Sequence, residues 1–156
     1  MNRSPVLAGV FALLLGIAGV RAQEVPVAPD KIPAPVMTAL RARFPDAKID
    51  KCVREQEGKD TVYDIEFVQN GRKGEADITA KGVYINFENA ITVDSLPKPV
   101  RDAIDKSYRG ATVVEAMEET EVKGKNEKIS AYEVVLKTAA GKQIEVRLSP
   151  GGKVLE

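Results

Sequence analysis

One segment of this chain is written twice. Ile32-Pro33-Ala34-Pro35-Val36-Met37-Thr38-Ala39-Leu40 returns as Leu96-Pro97-Lys98-Pro99-Val100-Arg101-Asp102-Ala103-Ile104. The match runs on to Ala47 and Ala111 at a constant offset of 64 (96 − 32). An internal repeat constrains a fold strongly, because each copy is one supersecondary unit that must bury its apolar face against itself or its sister.

The rhythm inside each copy gives the unit. Val36, Ala39, Leu40 and Phe44 share one face of a helix, as do Val100, Ala103, Ile104 and Tyr108. Pro35 and Pro99 suit a first helical turn, while Pro45 and Gly110 stop the two helices. Asp94-Ser95 is placed to cap the second helix. After each helix the period changes to two. Ile49–Val53, then Tyr63, Ile65 and Phe67, then Ala76 and Ile78, then Val83–Phe87 read as four strands. Asn70-Gly71 and Lys81-Gly82 are the turns between them. In the second copy Thr112–Val122, then Tyr132, Val134 and Leu136, then Ile144, Val146 and Leu148, then Val154-Leu155 repeat the plan. The expected fold is α+β: two tandem repeats, each one helix packed on a four-stranded antiparallel sheet, with the copies packed closely or sharing one sheet. A unit of ~65 residues alone is marginal, so each copy needs the other.

The chain divides into four parts. Residues 1–22 have the three parts of a secretory signal: Arg3, an uncharged run from Val6 to Val20, and Val20-Arg21-Ala22 before a cut at Gln23. The run of 15 residues is shorter than the ~20 of a spanning helix. Stable membrane insertion after cleavage is therefore not expected, and a periplasmic or secreted location is. Residues 23–31 form a proline-rich, extended lead-in read as a spacer. Residues 32–91 and 92–156 are the repeats.

Charge and residue types exclude much. Loss of Arg3 and Arg21 leaves 21 basic against 23 acidic residues, a net charge of −2, which gives no argument for nucleic acid as partner. Histidine is absent, which removes Ser-His-Asp and Cys-His machinery and most zinc and haem sites. Cys52 is the single cysteine, aligned with Ala116, and reads as a small packed side chain with nothing beside it to activate a thiolate. Ser95-Leu96-Pro97-Lys98 fits the S-x-x-K of serine penicillin-binding enzymes, but the partner elements of that chemistry are missing. No cofactor is expected and no catalytic residue is assigned.

The remaining candidates lie on strand positions facing away from the helices. Asp64, Glu66, Tyr84, Val135 and Arg147 are the candidate binding residues on this outward face. Glu75, Asp77 and Glu88 make it acidic, while Val62, Val68, Val114 and Val135 with Tyr84 could form a contact patch. Oxygen-rich faces also suit hard cations, although no calcium-loop pattern occurs.

The repeated L/I-P-x-P-V-x-x-A-L/I segments, each followed by a Tyr-acidic-aliphatic strand (Tyr63-Asp64-Ile65-Glu66-Phe67; Tyr132-Glu133-Val134-Val135-Leu136) and a closing Gly-x-Val or Gly-Val, resemble PepSY-like domains, related in fold to the beta-lactamase inhibitory protein. The resemblance spans Ile32 to Glu156. It implies an exported bacterial protein of helix-on-sheet repeats that binds or inhibits a peptidase or other envelope protein. In the inhibitory protein, tandem copies form a concave sheet that grips an enzyme. The single cysteine excludes that inhibitor's intra-repeat disulfides here. The expected function is an exported, non-enzymatic protein-binding or inhibitory module of the cell envelope. The alternative is a small-ligand or divalent-cation sensor using the acidic face.

Overall fold

The structure is a computed structural model and describes residues 24–155. The export signal expected over residues 1–22 lies outside the described residues. In chain order the elements are β1 (Val25–Pro26), α1 (Ala34–Arg43), β2 (Lys48–Glu57), β3 (Asp60–Gln69), β4 (Arg72–Thr79), β5 (Tyr84–Ala90), α2 (Lys98–Ser107), β6 (Thr112–Lys123), β7 (Asn126–Lys137) and β8 (Gln143–Leu148). A single 3-10 turn precedes each helix, at Pro29–Lys31 and Val93–Ser95.

The α+β class with tandem units is observed, but the division into two four-stranded sheets is corrected. All eight strands form one antiparallel sheet, ordered β1 to β8 as in the sequence. The cause is β5. It closes the first copy against β4 and then pairs with β6 of the second, from Asn86↔Glu121 to Ala90↔Met117. Joining the copies removes two strand edges that would otherwise expose unpaired backbone groups. The strand count is also uneven. The second copy supplies β6, β7 and β8, and its fourth strand shrinks to one bridge, Leu148↔Val154. The lead-in is more than a spacer, because Val25 and Pro26 pair with Arg54 and Val53 at the sheet edge.

Both helices lie on one face and seal two cores. Val36, Leu40 and Phe44 meet Cys52, Tyr63, Ile65, Phe67, Ala76, Ile78 and Phe87. Val100 and Ile104 meet Ala116, Tyr132, Val134, Leu136, Val146 and Leu148. The helical stripes thus point inward as their spacing requires. Each helix start rests on a hairpin glycine. A Cβ on Gly82 would stand 2.7 Å from Pro35 O, and one on Gly152 2.3 Å from Pro99 O. Both glycines also have a left-handed φ, +80° and +82°, so Gly is required twice over. The expected cap is absent: α2 has no side-chain cap, and Ser95 Oγ instead shares a 2.6 Å hydrogen bond with Thr92 Oγ1.

Candidate functional site

Among the described residues no second layer covers the sheet face opposite the helices, and alternation sends a distinct set of side chains there. β2 offers Lys51, Val53 and Glu55; β3 Val62, Asp64 and Glu66; β4 Glu75 and Asp77; β5 Asn86 and Glu88. β6 adds Glu115, Met117, Glu119 and Glu121; β7 Ala131, Glu133 and Val135; β8 Glu145 and Arg147. Carboxylates far outnumber cations. Ladder register places them in rows: Glu66↔Glu75↔Glu88↔Glu119 runs across four strands, and Asp64↔Asp77 lies beside it. Like charges directly opposite one another disfavour a sheet, so ordinary strand stability does not explain this arrangement.

The face is also curled. Val62 and Ala131 are fully buried, and Val53 and Met117 nearly so, although no helix among the described residues covers them. Glu75 on β4 feels the charges of Glu133 on β7 and Glu145 on β8. In a flat sheet β4 and β8 would stand ~19 Å apart, four strand spacings, and salt would screen the pair. The carboxylates therefore line the inside of a concave surface.

Their titration follows from that geometry. Burial pushes Glu88 from the usual 4.5 up to about 9, helped by Glu133, Glu75, Glu119 and Asp77. Burial pushes Glu75 up to about 7, with Glu133 and Glu66 adding to it. Glu133 rises to about 7 by burial and the charge of Glu145. Asp64 rises to about 7 by burial and the charge of Asp77. Asp77 and Glu145 are raised too, chiefly by burial. The few cations are drawn onto the acids. Lys51 Nζ donates to Glu66 Oε1 at 2.8 Å. Arg147 forks onto Glu119, with Nε to Oε2 at 2.8 Å and an Nη2 to Oε1 at 2.9 Å. Ser130 Oγ donates to the same Glu119 at 2.8 Å. Arg147, directly opposite Glu133, reaches diagonally across β7 to Glu119, whose own partner on β7 is the small Ala131.

The structure gathers four of the five sequence candidates on this face: Asp64, Glu66, Val135 and Arg147. The fifth, Tyr84, belongs to the other side. The register shifts between Asp77 and Ile78, so Tyr84 lies opposite Ile78, packs on the first core, and donates its hydroxyl to Ala39 O at 3.2 Å. A bulge of this kind reverses facing, and alternation counted along the sequence cannot register it. The expected apolar patch does not assemble either, since Val62 is buried and Val114 stands exposed at the bulge of β6. Sequence reading missed Glu119 and Glu133 as members of the face. The period-two runs containing them were visible, but the pairing that brings β6 and β7 beside β4 and β5 was not.

Other chemistry is not assembled. Lys98 Nζ is held by Asp102 at 2.6 Å and Ser95 by Thr92, so neither half of the S-x-x-K addresses the other. Cys52 is buried, and burial with the nearby Asp64 charge lifts its thiol to about 11. Among the described residues no three acidic or cysteine side chains converge to hold a metal ion. No helix among them is long and apolar enough to cross a membrane.

Doubled helix-plus-strand units joined in one antiparallel sheet, with a concave face turned away from both helices, define a class of fold. Comparison with known proteins places the chain within that class. A family model described as "Putative beta-lactamase-inhibitor-like, PepSY-like" matches residues 19–71 and 61–156, and the chain belongs to this family. Among solved structures, a DUF2874 family protein from Bacteroides uniformis matches at 20% identity and TM-score 0.58, covering 80% of this chain and 86% of that one. One described as "putative periplasmic proteins" from Bacteroides eggerthii matches at 18% identity and TM-score 0.58, with the same coverage of 80% and 86%. A BLIP-like protein from Bacteroides fragilis matches at 23% identity and TM-score 0.53, covering 80% and 84%. At these identities they are similar in fold. No curated protein matches.

Proposed function

We propose that this chain is an exported, periplasmic, non-enzymatic binding module that grips a cationic surface of another envelope protein in its concave carboxylate face. The concave row Glu66, Glu75, Glu88, Glu119 is the observation that carries this reading. Carboxylates held together against their repulsion are stabilised by any cation brought among them, and lysine or arginine side chains on a protruding loop would do so. The likeness to a BLIP-like protein and to a protein described as periplasmic supports both the binding role and the compartment. Among the described residues the face carries none of the exposed aromatic anchors that dominate many interfaces, so electrostatic complementarity must supply the specificity. Inhibition of a bound peptidase or other envelope enzyme would follow if the gripped loop borders its active site.

The test is affinity capture from periplasmic extract at physiological salt, using wild type and Glu75→Gln/Glu133→Gln side by side. The reading expects a stoichiometric partner that the double variant loses while keeping its fold, and that elutes with salt. Equal capture by both proteins would refute the role of this face.

A further inference from the structure

The junction between the two halves has a counterpart at each outer edge of the sheet. β5 pairs with β6 through Asn89↔Glu118 and Ala90↔Met117, and Ile91 N–H donates to Ala116 O at 2.9 Å. β1 pairs with β2 through Val25↔Arg54 and Pro26↔Val53, and Val27 N–H donates to Cys52 O at 2.9 Å. Every one of these positions differs by 64 (89 − 25, 118 − 54, 91 − 27), so β1 occupies the C-terminal end of a β5-like slot.

The opposite edge holds the other end of that slot. Val154 bridges Leu148 as Tyr84 pairs with Ile78, each shifted by 70 (154 − 84, 148 − 78). The preceding hairpins match bond for bond. Thr79 N–H reaches Val83 O and Ser149 N–H reaches Lys153 O, both at 2.8 Å. Val154 and Leu155 thus stand where Tyr84 and Ile85 stand in the first copy, while Glu24, Val25 and Pro26 stand where Glu88, Asn89 and Ala90 do. The two segments fill opposite ends of one strand and do not overlap.

We infer that copies of this chain join head to tail, with Val154–Leu155 of one copy and Glu24–Pro26 of the next forming one composite strand between β8 of the first and β2 of the second. Such a contact repeats an interface that the chain already uses internally. The free edge is available. Leu155 N–H donates to Arg147 O, and among the described residues no strand pairs with the outer side of β8 from Gln143 to Val146. Pro26 does no harm, because its equivalent Ala90 has no partner on β4. The side chains agree as well. The internal row Glu75–Glu88–Glu119 would recur as Glu145, then Glu24 and Glu55 of the next copy, glutamate at all three places.

The join is weaker than its internal model. The halves of one chain are pinned by Arg43 on Glu127 and by Lys73 on Glu115 at 2.8 Å, with Arg43 itself held 4.2 Å over the Phe87 ring of its own half. The positions equivalent to Arg43 and Lys73 are Ser107 and Gln143, which carry no charge. Association is therefore concentration-dependent and open-ended, as a head-to-tail contact requires.

Sedimentation velocity on the processed protein across ~10 µM to ~1 mM tests this, a range suited to weak association. The mean mass should rise without a plateau. Val27 N–H and Val25 N–H point to β2, so Glu24 N–H points outward; Glu145 N–H does likewise on β8. Glu24→Pro and Glu145→Pro should each stay monomeric, with wild-type circular dichroism. Mixed one to one, they should form heterodimers and nothing larger, since one intact junction remains. Glu145→Lys, an exposed change, should tighten self-association about tenfold by meeting Glu24 and Glu55 of the next copy. A wild type that stays monomeric, a plateau at the dimer, proline variants that associate as wild type does, or Glu145→Lys without effect would overturn the inference.

Discussion

Replacing Glu88 by Gln should stabilise this protein, and only at high pH. Glu88 is raised from 4.5 to about 9 in the folded state, first by burial and then by four neighbouring carboxylates. Between these values the folded chain holds a proton that the unfolded chain releases. Stability linked to that proton is fully present below the unfolded pKa and falls as pH rises towards the folded one. At pH 8 the ceiling is the interval from 4.5 to 8 at ~1.4 kcal/mol per unit, or ~5 kcal/mol. Water entry and side-chain rotation in a face without a covering layer relieve much of that, leaving ~2 kcal/mol. Glutamine has the shape of the protonated acid and needs no proton. Glu88→Gln should thus be nearly neutral at pH 5 and gain ~2 kcal/mol at pH 8, or several degrees in melting temperature for a domain of this size. Urea unfolding of both proteins at pH 5, 6.5 and 8 reads this directly. A wild type whose stability rises from pH 5 to 8, or a Glu88→Gln effect that is the same at every pH, would refute the account of the face.

The other predictions concern individual contacts. Gly152→Ala should cost at least ~2 kcal/mol in thermal or urea melts, because the methyl meets Pro99 O and the left-handed φ is lost to strain. Glu119→Ala should cost ~3 kcal/mol, since it leaves the half-buried Arg147 without its fork partner; a surface-like change below ~0.5 kcal/mol would show the pair to be solvated. Cys52 should resist a thiol reagent at pH 8 in the native protein and react at once in urea, because burial holds the thiol at about 11. Fast native labelling would contradict the packing of β2 against α1.

Much of the architecture was legible because it repeats. The 64-residue echo, the paired helical stripes and the period-two runs specify two like units with helices on one side. Burial of Val36, Leu40, Val100 and Ile104 follows from spacing alone. Turns such as Asn70-Gly71 and Lys81-Gly82 are written in residues that accept a positive φ, and Asn70, Gly71 and Gly82 all adopt one.

The amino-acid sequence by itself thus determined the unit, its helix and strand order, the inward stripe of each helix and the absence of the histidine and paired cysteines that triad and disulfide chemistry need. Tertiary structure decided how the units meet and what their meeting creates. Pairing of β5 with β6 is a contact between copies that no local pattern encodes, and it fuses the expected two sheets into one. The bulge at Asp77 and Ile78 turned Tyr84 to the helix side, a one-residue slip that side-chain period two magnifies into a change of face. Curling of the whole sheet then brought Glu75, Glu133 and Glu145, from three strands, within electrostatic reach. Each carboxylate alone reads as solvated surface. Their shared field exists only once the sheet has curled around them, because Coulomb energy depends on distance in space and not on distance along the chain.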